Sequence, residues 1–332
     1  MPKITKHPDG PTIDCAEDDT ILRAVLRSGI GMSYSCNVGS CGNCRFELIE
    51  GEVEHLREDP PAWGERDLKR NRYLGCQARP NGPCTIKFRE DPVSVSHDRP
   101  AIREASLVSS TPITRDITEF AFEADGPDDF RAGQYALLYA PGVTGGRPYS
   151  MSNLPGENGT WRFQIKKTPG GAATGWLFDS AQPGDKVTLD GPFGTAWLRE
   201  DSPHDLVLIA GGSGLSPMVS IARRAQAAGM LDDRRLHFFY GCRGPADLFD
   251  PAEVLGETLA GMVTFTPALS EPEDGWTGAS GLIHDVVEAG MGEALAGTEI
   301  YFAGPAAMSA AIQKMAHGAG VPMDQLHFDE FY

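Results

Sequence analysis

The amino-acid sequence predicts three domains in series: a small mixed α/β domain over residues 1–95, an antiparallel β-barrel over 100–200, and an α/β domain with a parallel sheet over 205–332. Three observations carry that prediction. Residues 1–95 mix short strands with an amphipathic helix and hold a dense cysteine loop. Residues 102–192 read as short strands separated by Gly and Pro turns, the pattern of a barrel rather than a parallel sheet. From residue 206, apolar strands alternate with helices, which implies an open sheet covered on both faces. The segment from Glu90 to Pro100, rich in prolines, serines and charges, reads as a linker. At 332 residues the chain has room for two or three domains.

In the first domain, residues 3–14 form two short strands around Pro8-Asp9-Gly10, and Thr20 is a candidate N-cap for a helix from Ile21 to Ser28 that Gly29 ends. The next stretch carries the chemistry. Cys36, Cys41 and Cys44 have the spacing C-x4-C-x2-C, and Cys76 follows after a long excursion. That is the plant-type [2Fe–2S] spacing: two irons take four thiolates, three from one tight loop and the fourth from a remote segment. Gly39 and Gly42 suit such a loop, because a side chain there would crowd the cluster. Loop amides and the hydroxyls of Ser35 and Ser40 are candidate hydrogen-bond donors to the sulfurs. A four-cysteine zinc site would more usually show paired C-x2-C knuckles. A disulfide framework is disfavoured by the sparse cysteine elsewhere and the lack of an apolar signal segment. Cys84 is a weaker alternative to Cys76, since it begins an alternating strand. Arg45 to Val53 reads as strand and turn, Trp63 to Asn71 as a short helix, and Thr85 to Phe88 as the last strand.

Three features rise above the background of the second domain. Arg147, Tyr149 and Ser150 share one strand and offer a guanidinium for a phosphate, an aromatic ring and a hydroxyl. Gly170, Gly171, Ala172, Ala173 and Thr174 place main-chain amides at the start of a helix, where an anionic group is accepted. Asp190 to Gly194 reads as a tight turn at the barrel edge.

In the last third, Leu206 to Ala210 is an apolar strand followed by Gly211, Gly212 and Gly214, with Pro217 in the first turn of a helix running to about Ala228. Glycines after such a strand suggest a pyrophosphate turn, although the full G-x-G-x-x-G fingerprint is absent. A second glycine-containing strand end is Ala303-Gly304-Pro305, and in an α/β sheet the ligand lies at the carboxyl ends of the strands. Further helices are expected near Ala246–Leu255 and Gly281–Ala289, and Met308, Ile312 and Met315 mark one face of another.

Composition removes other classes. With 29 basic against 46 acidic residues the formal charge is −17, which argues against a general nucleic-acid binder, and no long apolar stretch is present to span a bilayer. A cytoplasmic protein, sufficient as a monomer, is the simplest expectation. Residues 206–332 hold 6 basic and 16 acidic residues, whereas residues 1–95 are nearly balanced at 13 and 15. The eight histidines show no H-E-x-x-H site.

The whole chain resembles the reductase component of bacterial multicomponent oxygenases, and is most similar to the toluene- and phenol-type diiron monooxygenase reductases in its YLGCQ and terminal HFDEFY segments. The resemblance implies a β-grasp plant-type ferredoxin domain, an FAD-binding antiparallel barrel and a nicotinamide-binding parallel-sheet domain. It also implies that Arg147-Pro148-Tyr149-Ser150 is the flavin motif, with Arg147 on the FAD pyrophosphate, Tyr149 against the isoalloxazine and Ser150 reaching N5. Lys166 and Gly170 to Thr174 complete that site. Gly211, Gly212, Gly214 and Pro217 correspond to the dinucleotide loop, Gly304-Pro305 to a second nicotinamide-side loop, and Phe331 or Tyr332 to a cover over the flavin. Many members carry Cys-Gly-Pro where this chain has Ala303-Gly304-Pro305, so hydride transfer is expected to be slower or differently positioned, not abolished. Only Arg243 is available to read an adenosine 2′-phosphate in this acidic domain, which favours NADH over NADPH.

The expected activity is hydride transfer from NADH to FAD, then single electrons through the [2Fe–2S] cluster to the diiron hydroxylase of a monooxygenase, in the manner of aromatic hydrocarbon catabolism. A Rieske-type dioxygenase is the alternative partner. A carrier or redox sensor without turnover is the alternative of another class.

Overall fold

The computed structural model describes residues 1–156 and 159–331, with the main chain alone at Phe331. It divides into two units, one of residues 1–102 with 190–195, the other of residues 103–189 with 196–332.

The first unit is built on β1 (Lys3–Lys6), β2 (Thr12–Asp14), α1 (Ile21–Arg27), β3 (Arg45–Glu50), β4 (Val53–His55), α2 (Glu65–Leu68), β5 (Arg72–Leu74), β6 (Ala78–Pro80) and β7 (Cys84–Lys87). Five strands form a mixed sheet in the order β2-β1-β7-β3-β5, and β4 pairs with β6 separately. Only the β1–β7 contact is parallel among the registered pairs of the larger sheet. Ile21, Leu22, Val25 and Leu26 of α1 are buried, so the apolar periodicity of this helix is its core face.

Three local expectations need correction. Thr20 is extended but its buried hydroxyl makes no cap hydrogen bond, and the Asp19 carboxylate accepts from its main-chain N–H. The helix expected over Trp63–Asn71 is the single turn α2. Gly64 precedes it in extended conformation, the Trp63 indole N–H is drawn to Arg72 O at 2.7 Å, and Asn71 lies in the left-handed region at φ 51°. Asp190 to Phe193 is not a turn but the end of a strand. Buried charge holds it there: Asp190 meets Arg27 Nη1 and Nη2 at 2.8 and 2.9 Å, and Arg27 Nε reaches the buried Asp19 at 2.8 Å. Gly194 N–H then donates to the Tyr34 hydroxyl at 2.8 Å.

The second unit contains both remaining architectures. The barrel, which apart from the first residues of β8 and the last of β13 belongs to this unit, comprises β8 (Ala101–Pro112), β9 (Ile117–Ala124), β10 (Tyr135–Tyr139), β11 (Arg147–Ser150), β12 (Thr160–Lys166), α3 (Ala172–Asp179) and β13 (Lys186–Phe193). The strand order is β11-β10-β13-β8-β9-β12. The two ends of that order meet, since Met151 bridges Phe163 and Ser152 N–H donates to Arg162 O at 2.8 Å, so the sheet closes. Trp161, Phe120, Phe122 and Phe163 fill its core.

The remaining elements are β14 (Asp205–Gly211), α4 (Leu215–Ala227), β15 (Leu236–Cys242), α5 (Pro251–Leu255), α6 (Glu257–Met262), β16 (Val263–Leu269), β17 (Ala279–Ser280), α7 (Ile283–Met291), β18 (Thr298–Pro305), α8 (Ala306–Gly318) and β19 (Leu326–Phe331). All pairings in the order β17-β16-β15-β14-β18-β19 are parallel. Alternation along β14 serves both faces: Leu206, Leu208 and Ala210 pack with α4, whereas Val207 and Ile209 pack with α7 and α8. The helix expected at Ala246–Leu255 is split, because Pro251 starts a new helix whose cap is the Asp250 carboxylate, accepting from Ala252 N–H at 2.8 Å. No helix among the described residues is long and apolar enough to cross a membrane.

Candidate functional site

The cysteine loop leaves α1 and turns at Gly39 and Gly42, with φ of +87° and +80°. A Cβ on Gly39 would lie 3.0 Å from Gln77 Cγ and 3.1 Å from Pro60 Cβ, so both conformation and space call for glycine. The turn aims main-chain donors inward: Val38, Ser40 and Cys41 N–H groups point at Cys36 Sγ at 3.5, 3.3 and 3.3 Å. Ser40 therefore contributes through its amide. Cys76, just after β5, directs its own N–H at Cys44 Sγ at 3.5 Å.

The thiols pair two and two. Cys41 donates to Cys36 and Cys76 donates to Cys44. The hydrogen bond from Cys41, with the loop amides, holds Cys36 down at about 6, and the bond from Cys76 lowers Cys44 likewise. Among the described residues no three His, Cys, Asp or Glu side chains converge on one ion. Two pairs instead fit a two-iron centre, in which each iron takes two thiolates. Cys84 stands on β7 opposite Ile4, with its thiol pushed up to about 11 by burial, and belongs to neither pair.

On the barrel, β11 carries the Arg147-Pro148-Tyr149-Ser150 run antiparallel to β10, with Tyr149 opposite Ala136 and Ser150 opposite Tyr135. Arg147 is exposed, and its Nη1 meets only the carbonyls of Thr144, Gly145 and Gly146 at 3.1–3.3 Å. This cation has no carboxylate partner among the described residues, which fits a phosphate. Tyr149 is half-buried against the barrel core, and desolvation pushes its phenol up to about 12. Lys166 ends β12; its Nζ pairs with Asp116 at 3.1 Å and lies against Gly212. Gly170 and Gly171 lead into α3 at Ala172, with Ala173 and Thr174 in its first turn. Thr174 Oγ1 accepts from Thr168 N–H at 3.2 Å and lies 3.3 Å from the Thr168 and Gly171 carbonyls, so this hydroxyl closes its own loop.

A glycine loop, wound as a 3-10 turn over Gly212–Gly214, joins β14 to α4. A Cβ on Gly214 would collide with the Ala303 carbonyl, and one on Gly211 with the Met308 sulfur. The ends of β14 and β18 thus approach main chain to main chain, with Gly304 and Pro305 beside Gly211. No side chain caps this turn, the N–H groups where α4 begins donate to Gly212 O and Ser213 O, and Pro217 is buried in the first turn of α4. Arg243 is exposed just past β15. Phe331 pairs with Pro305 through its main chain, whereas its side chain and Tyr332 lie outside the described residues.

Sequence reasoning did not foresee how the two halves of this unit are tied. Ser216 Oγ donates to Ser150 O at 2.6 Å and accepts from Gln164 N–H at 3.1 Å, and Ser220 Oγ donates to Asn153 O at 2.8 Å. Arg115 pairs with the buried Asp247 carboxylate. It also missed Asp329, buried on β19 opposite Ala303, with Oδ2 unpartnered and the carboxyl raised to about 7 by burial. Serine spacing in a helix carries no mark of such a partner.

Models of three domain families match in order: a 2Fe-2S iron–sulfur cluster binding domain at 4–81, an oxidoreductase FAD-binding domain at 104–197, and an oxidoreductase NAD-binding domain at 208–314. A ferredoxin–NAD(P)+ reductase of Metapseudomonas resinovorans is 36% identical over 96% of both chains. The ferredoxin–NAD+ reductase component of an alkene monooxygenase system from Xanthobacter autotrophicus is 36% identical, covering 97% of this chain and 98% of its own. The chain belongs to this family of flavin iron–sulfur reductases. Its fold follows the ferredoxin reductase of carbazole 1,9a-dioxygenase at a TM-score of 0.93 and 33% identity, covering 100% of this chain and 98% of the other. The phenol 2-monooxygenase reductase component of a Pseudomonas species is 32% identical, over 99% of this chain and 94% of its own. The expected [2Fe–2S], FAD and nicotinamide modules and the three architectures are therefore borne out.

Proposed function

We propose that the chain takes hydride from NADH onto FAD and delivers electrons singly, through a [2Fe–2S] cluster, to the diiron hydroxylase of a multicomponent monooxygenase. The observation that carries this reading is the serine tether: Ser216, in the first turn of α4, is bonded to the carbonyl of Ser150 at the end of the flavin strand. One hydroxyl thereby fixes the dinucleotide helix against the strand that presents Tyr149 and Ser150, the arrangement that hydride transfer needs.

Bound FAD accepts two electrons together and releases them one at a time, the conversion that joins a nicotinamide to an iron–sulfur centre. Each protein group has a narrower role. Arg147 and the main-chain amides of Gly170 to Thr174 would hold the FAD pyrophosphate, Lys166 lies against Gly212 of the glycine loop, and Tyr149 and Ser150 would contact the flavin ring. The turn of Gly211, Gly212 and Gly214 ahead of Pro217 would take the nicotinamide dinucleotide, with Gly304 and Pro305 beside it. Cys36 and Cys41 hold one iron, Cys44 and Cys76 the other. The boundaries 1–95, 100–200 and 205–332 follow this division of labour.

NADH is preferred because Arg243 is the one cation between the end of β15 and Asp247, in a domain with 16 acids. The diiron partner is supported by the phenol and propane monooxygenase relatives. Relatives of a dioxygenase and of a cytochrome P450 define the competing choices. The test is anaerobic mixing of the FAD-loaded holoprotein with NADH: flavin and cluster absorption both bleach, and more slowly with NADPH. A flavin that stays oxidised under NADH refutes the reading.

A further inference from the structure

One charged feature of the cluster-bearing unit has no part in cofactor binding. On the outer face of its five-stranded sheet, Arg45, Arg72, Lys87 and Arg89 line a cleft of about 360 Å³ with Phe46 and Phe88, and Glu47 is its one acid. The register explains the grouping. Glu47 on β3 stands opposite Arg72 of β5 on one side and Lys87 of β7 on the other, so the three side chains form a row across three strands. Arg45 lies two residues along β3, on the same face.

Arg45 joins the cleft to the cluster loop. Its Nη1 donates to Gly42 O at 2.8 Å, between Cys41 and Cys44, and its Nε meets Asp67 at 3.0 Å. Asp67 therefore offsets Arg45. Among the described residues no ion pair engages Arg72, Lys87 or Arg89. The cleft keeps a net positive charge on a chain of formal charge −17.

We propose that this cleft receives an acidic segment of the protein that takes electrons from the cluster. The proposal rests on the electron-delivery reading above and adds the docking surface. Charge complementarity and position support it: the cations face solvent one loop away from the four thiols, and opposite charge accelerates encounter. Exposed charges of this kind act mainly on association and weaken with salt.

The test uses the holoprotein and a combined Arg72→Gln, Lys87→Gln, Arg89→Gln variant, leaving Arg45 to support the loop. A fluorescent poly-L-glutamate peptide at low ionic strength should bind the native protein in a salt-sensitive way, and the variant about ten-fold more weakly. A control carrying Lys3→Gln, Arg57→Gln and Lys186→Gln keeps the native affinity, and Glu47→Gln tightens it. Re-oxidation of the reduced cluster by ferricyanide slows severalfold in the combined variant, while the cationic hexaamminecobalt(III) oxidises it at least as fast as the native protein. No peptide binding by the native protein, equal losses in variant and control, or equal ferricyanide rates overturn the proposal. A native dimer that the combined variant dissolves also overturns it, by giving the cleft to a second copy. The cluster spectrum and NADH bleaching of the flavin are recorded on each sample. A native protein that fails that bleaching step sinks the electron-delivery reading, whatever the peptide does.

Discussion

Two glycine-rich loops of this chain solve opposite electrostatic problems. In the cluster loop, Gly39 and Gly42 adopt positive φ so that the amides of Val38, Ser40 and Cys41 turn toward a sulfur that the protein itself supplies. In the glycine loop after β14, Gly214 is required chiefly by crowding against the Ala303 carbonyl, and no side chain caps the Gly212–Gly214 turn. The first loop directs its donors to its own thiols; the second offers its turn no side-chain acceptor. The comparison teaches that glycine content alone does not reveal what a loop does. The deciding property is whether the donors already have an acceptor.

The largest expected effect breaks the first loop. Cys76→Ser removes one thiolate of the Cys44 pair, so cluster absorption and one-electron delivery are lost, while NADH still bleaches the flavin. Normal cluster absorption in that variant would transfer the assignment to Cys84.

Next, Gly214→Ala attacks the second loop. Its added methyl meets main chain rather than a flexible side chain, so destabilisation of roughly 1–3 kcal/mol is expected, with weaker NADH binding and an intact cluster spectrum. Thermal unfolding and the NADH concentration dependence of flavin reduction check it. Unchanged values in both would mean that the β14 and β18 ends do not pack as described.

A pH effect of a few kcal/mol at most belongs to Asp329. Burial raises its carboxyl to about 7. A raised folded-state value means that the native protein holds a proton the unfolded chain releases near pH 4. Its contribution is thus fully present below about pH 4 and is lost as the pH rises through about 7. Asp329→Asn should flatten that segment of the curve of melting temperature against pH. A variant curve that still falls there would assign the loss to another group.

Ser216→Ala, with a stability cost like that of Gly214→Ala, should have the smallest effect on cofactor binding. Removing the tether leaves Ser150 O and Gln164 N–H without their hydroxyl partner, at a cost of about 1–3 kcal/mol. Slower flavin reduction by NADH, with FAD affinity nearly retained, is expected in stopped-flow measurements. An unaltered rate would separate the tether from hydride transfer.

How much of this was legible from the residues depended on how locally each feature is encoded. The loop of Cys36, Cys41 and Cys44 and the run Arg147 to Ser150 stand out in the sequence because each is short, whereas Cys76 is remote and had to be chosen against Cys84. The parallel sheet was readable because Leu206 to Ala210 is apolar on both of its faces. Asp190 to Phe193 was misread as a turn, since its acid is held by Arg27, 163 residues away. Neither a composition nor a period records that pairing. Ser216 and Asp329 escaped for the same reason: their roles come from carbonyls and burial supplied by other elements. The basic row of Arg72, Glu47 and Lys87 exists only once three strands are in register.

The central claim, that one chain carries hydride equivalents from NADH to a one-electron centre, is tested most directly by low-temperature electron paramagnetic resonance of the anaerobic holoprotein after addition of NADH. The native protein should show the signal of a reduced [2Fe–2S] cluster, and Cys76→Ser should bleach its flavin without that signal. A native protein whose flavin bleaches while the cluster stays silent would contradict the account.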